Sequence, residues 1–102
     1  MVREIEDQRV ALEALCRRFQ VRRLELFGSA AGGKFDPQSS DLDFIVEFDD
    51  RPANGYADTY FGLAEALKDL FHRDVDLVVL SAVKNPYLRE SIERSRTLLY
   101  AA

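Results

Sequence analysis

The sequence predicts an α+β (or α/β) layer, a small sheet covered by helices, within one domain spanning residues 1–102. Three observations carry this. Apolar residues recur at helical spacing in the first eighteen or so positions and again after Tyr56. Between and beyond them lie short runs of strand formers, Val21–Phe27, Leu42–Phe48 and Val75–Leu80. The resulting order is helix, strand, strand, helix, strand, helix, which suits a helix-covered sheet.

From Val2 to Phe19 the pattern is that of an amphipathic helix: Ile5, Leu12, Leu15, Cys16 and Phe19 fall on one side, while Arg, Glu and Asp fill the other. Val21 to Phe27 alternates as a strand does and is ended by Gly28. Residues Ala30 to Ser40 contain the breakers Gly32, Gly33 and Pro37 and read as a loop. Leu42 to Phe48 is a second strand of strong β-formers. Asp49 to Asn54 is polar, contains Pro52, and reads as a turn or loop. A second helix is expected from Tyr56 to His72, with Ala57, Tyr60, Phe61, Ala64, Leu67 and Phe71 as its apolar stripe. Val75 to Leu80 is a third strand, and Ser81 to Asn85 turns the chain. Pro86 suits the first position of a third helix ending near Ser95. Leu98-Leu99-Tyr100 forms either a short final strand or a docked tail.

Composition bounds the function. The chain is 47% hydrophobic and 31% charged, as expected of a soluble globular domain. A formal net charge of −4 lacks the basic footprint of a general nucleic-acid binder, so stable duplex binding is not expected. Such a balance still permits nucleotide binding through a cation, because carboxylates favour the ion and the ion favours phosphates. The single cysteine, Cys16, excludes an internal disulfide and a Cys-rich zinc site, and reads as a small core residue. The N-terminus lacks the apolar region of a signal peptide, and no apolar run approaches the ~20 residues of a membrane span. A cytoplasmic location is the expectation. A core this small leaves room for stabilisation by a partner chain, and homo-oligomerisation is open.

Asp41 and Asp43 stand two apart at the start of a strand, on one face of it. Two carboxylates beside the buried residues Leu42 and Phe44 repel each other and are desolvated. A hard divalent cation, Mg²⁺ or Mn²⁺, relieves both effects and binds phosphate. Asp76 lies within the apolar strand Val75–Leu80 and joins the pair if the third strand lies beside the second. Alone, an Asp-x-Asp is usually a solvated pair, and an acid in an apolar strand usually marks an edge; here the two coincide. A glycine directly after a strand, as at Gly28, lets backbone approach a ligand closely. The following Ser29 offers a hydroxyl and an N–H to phosphate oxygens. Eleven residues separate Ser29 from Asp41.

Phe27-Gly28-Ser29, Ser40-Asp41-Leu42-Asp43-Phe44-Ile45-Val46 and Val75-Asp76-Leu77-Val78 together resemble the DNA polymerase β-like nucleotidyltransferase superfamily, and the short length its minimal nucleotidyltransferase (MNT) group. The resemblance implies that superfamily's fold, a small mixed sheet flanked by helices. It implies that Asp41 and Asp43 hold Mg²⁺ or Mn²⁺, that Asp76 completes the site and helps deprotonate the attacking hydroxyl, and that Gly28 and Ser29 bind the triphosphate of ATP or another NTP. In that group the partner is commonly a HEPN-domain toxin, silenced by adenylylation of a tyrosine, with the transferase as antitoxin. Many minimal members carry arginines just after the Gly-Ser. This chain has Ala30, Ala31, Gly32 and Gly33 instead, with Lys34 or Arg51 as possible substitutes. That departure motivates an alternative, a non-catalytic antitoxin that neutralises its partner by binding alone. A free-standing transferase acting on a small antibiotic or RNA ends is a third reading, disfavoured by the lack of an acceptor domain. His72 reads as a cation at a helix end, Arg17-Arg18 and Arg22-Arg23 as solvated pairs, and Tyr56 and Tyr60 as helix-packing residues.

Overall fold

The structure is a computed structural model and describes residues 3–28, 41–49 and 55–102. In chain order its elements are α1 (Arg3–Asp7), α2 (Arg9–Arg18), β1 (Val21–Phe27), β2 (Leu42–Phe48), α3 (Tyr56–Phe71), β3 (Val75–Val79), a 3₁₀ turn (Leu80–Ala82), α4 (Pro86–Ser95) and β4 (Thr97–Ala101). The strands form one mixed sheet in the order β3-β2-β1-β4. β1 pairs antiparallel with β2 and β4, and β2 pairs parallel with β3. A parallel pair needs a crossover between its strands, and α3 supplies it.

Alternation along the strands sorts side chains onto two faces. Leu24, Leu26, Leu42, Phe44, Val46 and Leu77 meet Leu12 and Cys16 of α2 and Leu63, Leu67 and Phe71 of α3 in the main core. The opposite face carries a smaller cluster, in which Phe27 and Ile45 pack against Ile92 of α4. Asp41 and Asp43 share the odd positions of Ile45, so they lie on this second, less covered face.

Two helical expectations are corrected. The first helix is broken at Gln8, whose N–H is shared between the carbonyls of Glu4 and Ile5 at 3.2 and 3.3 Å. Such sharing marks a helix end. Beyond the break, Arg9 Nη1 reaches the Leu99 carbonyl at 2.8 Å and caps part of the β4 edge. The buried stripe of α3 is Thr59, Leu63, Leu67 and Phe71, a straight row of four-residue steps. Phe61 and Ala57 face solvent. Tyr60 flanks the row and donates to the Leu77 carbonyl at 2.5 Å, tying α3 to β3. Gly62 lets α3 lie close to α2, since a Cβ there would fall 2.7 Å from Phe19 Cε1.

The third helix begins as expected: Asn85 Oδ1 accepts from the N–H groups of Tyr87 and Leu88, with Pro86 at the first helical position. The C-terminal tail is a strand, β4, paired along β1. Among the described residues no helix is long and apolar enough to cross a membrane.

Candidate active site

The parallel pairing of β2 with β3 places Asp43 directly opposite Asp76 in the ladder. Asp41 stands one residue before β2 and is exposed. The end of the ladder is closed by the Leu42 N–H, which donates to the Asp74 carbonyl at 3.2 Å. Partly buried Asp43 feels both neighbours. Burial pushes its carboxyl up to about 6, and the charges of Asp76 and then Asp41 add to the shift. The three aspartates are thus gathered at one end of one sheet face. Among the described residues no three His, Cys, Asp or Glu side chains close on a single point as a finished metal site would; Asp41 and Asp76 are exposed.

Gly28 ends β1 beside this cluster. Phe27 is the ladder partner of Asp43, so the next residue turns the chain at the level of the carboxylates. Its φ of +75° is in the left-handed region that glycine tolerates. A Cβ built there would lie 2.5 Å from Asp43 Oδ2. The Gly28 N–H donates to Ser95 Oγ at 2.9 Å. Gly28 therefore enters the site through the space it leaves. Ser29, Ala30 to Gly33, Lys34 and Arg51 lie outside the described residues.

Sequence reasoning missed a buried charge two strand positions before Phe27. Glu25 is 3% exposed. Arg96 grips it with two hydrogen bonds, Nη2 to Oε1 at 2.7 Å and Nε to Oε2 at 2.9 Å, and Arg23 Nε donates to Oε1 at 3.0 Å. Hydrogen bonding from Arg96 outweighs burial and holds the Glu25 carboxyl below its ordinary range. The usable signal was an acid inside the apolar run Leu24 to Phe27, the same signal that singled out Asp76.

Arg22 lies near Glu47 and Asp49, and the Arg18 guanidinium sits over the Phe19 ring. His72 ends α3 in the left-handed conformation. Burial pushes the Cys16 thiol up to about 12, consistent with an inert core residue. Tyr56 packs edge-on against Phe48.

A divalent cation fits this donor set on two observations. Burial, and after it the charges of Asp76 and Asp41, raises the Asp43 carboxyl, and only a glycine leaves its Oδ2 uncrowded. Carboxylate oxygens are the ligands that Mg²⁺ and Mn²⁺ prefer.

The family model described as "Nucleotidyltransferase domain" matches residues 9–99. A Methanocaldococcus jannaschii protein named "Putative protein adenylyltransferase MJ0128" is 38% identical over 93 residues, covering 90% of this chain and 91% of that one. A solved structure described as "Structure of putative minimal nucleotidyltransferase" superposes with a TM-score of 0.74 at 31% identity, over 91% of this chain and 90% of the other. At 22% identity the fold also matches a chain of a solved structure described as tri-AMPylated Shewanella oneidensis HEPN toxin in complex with MNT antitoxin, with a TM-score of 0.65 over 95% of this chain and 72% of that one. With the mixed sheet and its acid-bearing strands in place, and with a family match that spans nearly the whole chain, this protein belongs to the nucleotidyltransferase domain family and is a nucleotidyltransferase.

Proposed function

We propose that this nucleotidyltransferase moves an NMP, AMP from ATP, onto a tyrosine hydroxyl of a HEPN-domain partner toxin, and that this silences the toxin. The observation that carries the reading is the pairing of Asp43 with Asp76, with Asp41 beside them and a Cβ-free Gly28 against Asp43. The name of the 38% identical relative supports a protein acceptor. The fold shared with an MNT antitoxin solved against an AMPylated HEPN toxin supports the partner.

Asp41 and Asp43, completed by Asp76, would hold Mg²⁺ or Mn²⁺, which when bound supplies positive charge to the triphosphate and the departing pyrophosphate. Gly28 leaves room for the phosphates, and Ser29 follows it in sequence with a hydroxyl to offer. Asp76 takes the proton of the acceptor hydroxyl. The acceptor oxygen forms a bond to the α-phosphorus, the bond from that phosphorus to the bridging oxygen of the β-phosphate breaks, and pyrophosphate leaves. A substrate of this kind suits a cytoplasmic location.

The test is incubation with labelled ATP, Mg²⁺ and a HEPN partner. Label on a partner tyrosine is expected; none across a range of NTPs sinks the reading. Asp41→Asn combined with Asp43→Asn should abolish labelling. Full neutralisation of the toxin by that double variant would mean that binding alone does the work.

A further inference from the structure

The turn that ends β1 is held from the far end of the chain. The Gly28 N–H donates to Ser95 Oγ at 2.9 Å, and that hydroxyl donates in turn to the Ser91 carbonyl at 3.0 Å. A serine hydroxyl has one proton. With it committed to Ser91, a lone pair is left facing Gly28, so the hydroxyl has a defined orientation. The helix that carries Ser95 is itself seated on the sheet. Ile92 is fully buried against Phe27 and Ile45, and Arg96, the next residue after Ser95, is locked onto Glu25. Residues 95 and 96 therefore grip β1 at positions 28 and 25. The grip ends where tolerance is smallest, because Gly28 stands within one carbon atom's reach of Asp43 Oδ2.

We infer that Ser95 is a positioning residue for nucleotide transfer: its hydroxyl sets where Gly28 stands against the Asp43 carboxylate. The inference rests on the reading of Gly28 and Asp43 as part of the nucleotide and metal site. A purely structural serine at a helix end, bonded back to its own fourth-preceding carbonyl, would affect stability and leave nucleotide affinity alone. Arg9 supplies the matched comparison. It too makes a side-chain hydrogen bond to a distant backbone group, the Leu99 carbonyl, but at the β4 edge of the sheet.

The test is calorimetric titration of a non-hydrolysable ATP analogue with Mg²⁺ into the wild type, Ser95→Ala, Ser95→Thr and Arg9→Ala, with thermal melts of all four. Loss of one neutral hydrogen bond is expected to weaken analogue binding about five- to tenfold in Ser95→Ala. Ser95→Thr, which keeps the hydroxyl, and Arg9→Ala should stay within about twofold of wild type, although Arg9→Ala also melts lower. Ser95→Ala binding as tightly as wild type would overturn the role of Ser95 while leaving the site reading intact. So would an equal loss in Arg9→Ala, since the effect would then follow stability. A wild type with no affinity for the analogue would overturn the site reading itself, and the role of Ser95 with it.

Discussion

Asp43 and Asp76 face each other across the parallel pairing of β2 with β3. Folding buries the Asp43 carboxyl and brings the charges of Asp76 and Asp41 near it, and the group rises from 3.8 to about 6. A carboxyl whose folded value is the higher one favours the folded state most while protonated, and loses that contribution as pH rises from about 4 through about 6. Asp43→Asn should therefore stabilise the metal-free protein near neutral pH, by about 1–2 kcal/mol once solvent screening is allowed for. The gain should vanish near pH 4. Thermal melts in chelator at both pH values check this, and a variant less stable than wild type near pH 7 would contradict it.

Glu25 and Arg96 carry the opposite sign. Hydrogen bonds from Arg96 lower the Glu25 carboxyl from 4.5, so its contribution is present above that value and is lost as pH falls through the lower folded value. Arg96→Ala leaves a carboxylate whose side chain is only 4% exposed with Arg23 as its remaining partner. A loss of about 2–3 kcal/mol is expected, less than for a fully buried pair because Arg96 is itself partly exposed. Urea denaturation measures it. Arg96→Lys should recover part of the loss, since an ammonium restores the charge but not the two-pronged geometry.

The parts of this fold that were legible in sequence rest on local rules. Alternation located β1, runs of strand formers located β2 and β3, and Pro86 marked the start of α4 at its true position. The acid cluster was legible because Asp41 and Asp43 stand two apart where one strand begins and Asp76 repeats the anomaly on another. What stayed hidden depends on distance along the chain. Glu25 and Asp76 look alike in sequence, each an acid among apolar neighbours. One is neutralised by an arginine 71 residues away, while the other stands opposite a second acid in the strand ladder. The stripe of α3 was misassigned for a related reason. Phe61 is as apolar as its neighbours, but Leu63 is in line with Thr59 and Leu67 and is buried, whereas Phe61 is 66% exposed.

Gly28 and Gly55 separate backbone strain from crowding. Both have positive φ, +75° and +82°. A Cβ at Gly28 meets Asp43 Oδ2, whereas one at Gly55 meets nothing within 4 Å. Alanine at either position should cost about 1–3 kcal/mol for holding an L-residue at positive φ. Only Gly28→Ala should also cut nucleotidyl transfer, by about tenfold or more, because the methyl group displaces the carboxylate. Equal loss of transfer in both variants would remove Gly28 from the site.

The repulsion at Asp43 also predicts how ligands change stability. A ligand that binds only the folded state stabilises it by mass action, about 2.7 kcal/mol at a hundredfold excess over its dissociation constant. For a domain of this size that is a rise in Tm of roughly 10 °C or more. Wild type should show such a rise with Mg²⁺ and ATP together and lose it in chelator. Asp41→Asn combined with Asp43→Asn should start from a higher Tm, since the like charges are gone, and should not respond. The two melting curves are thus expected to exchange order when Mg²⁺ and ATP are added. A double variant that gains as much as wild type would show that nucleotide binds without these carboxylates. A wild type already more stable than the double variant in chelator would show that the acids do not strain the metal-free fold.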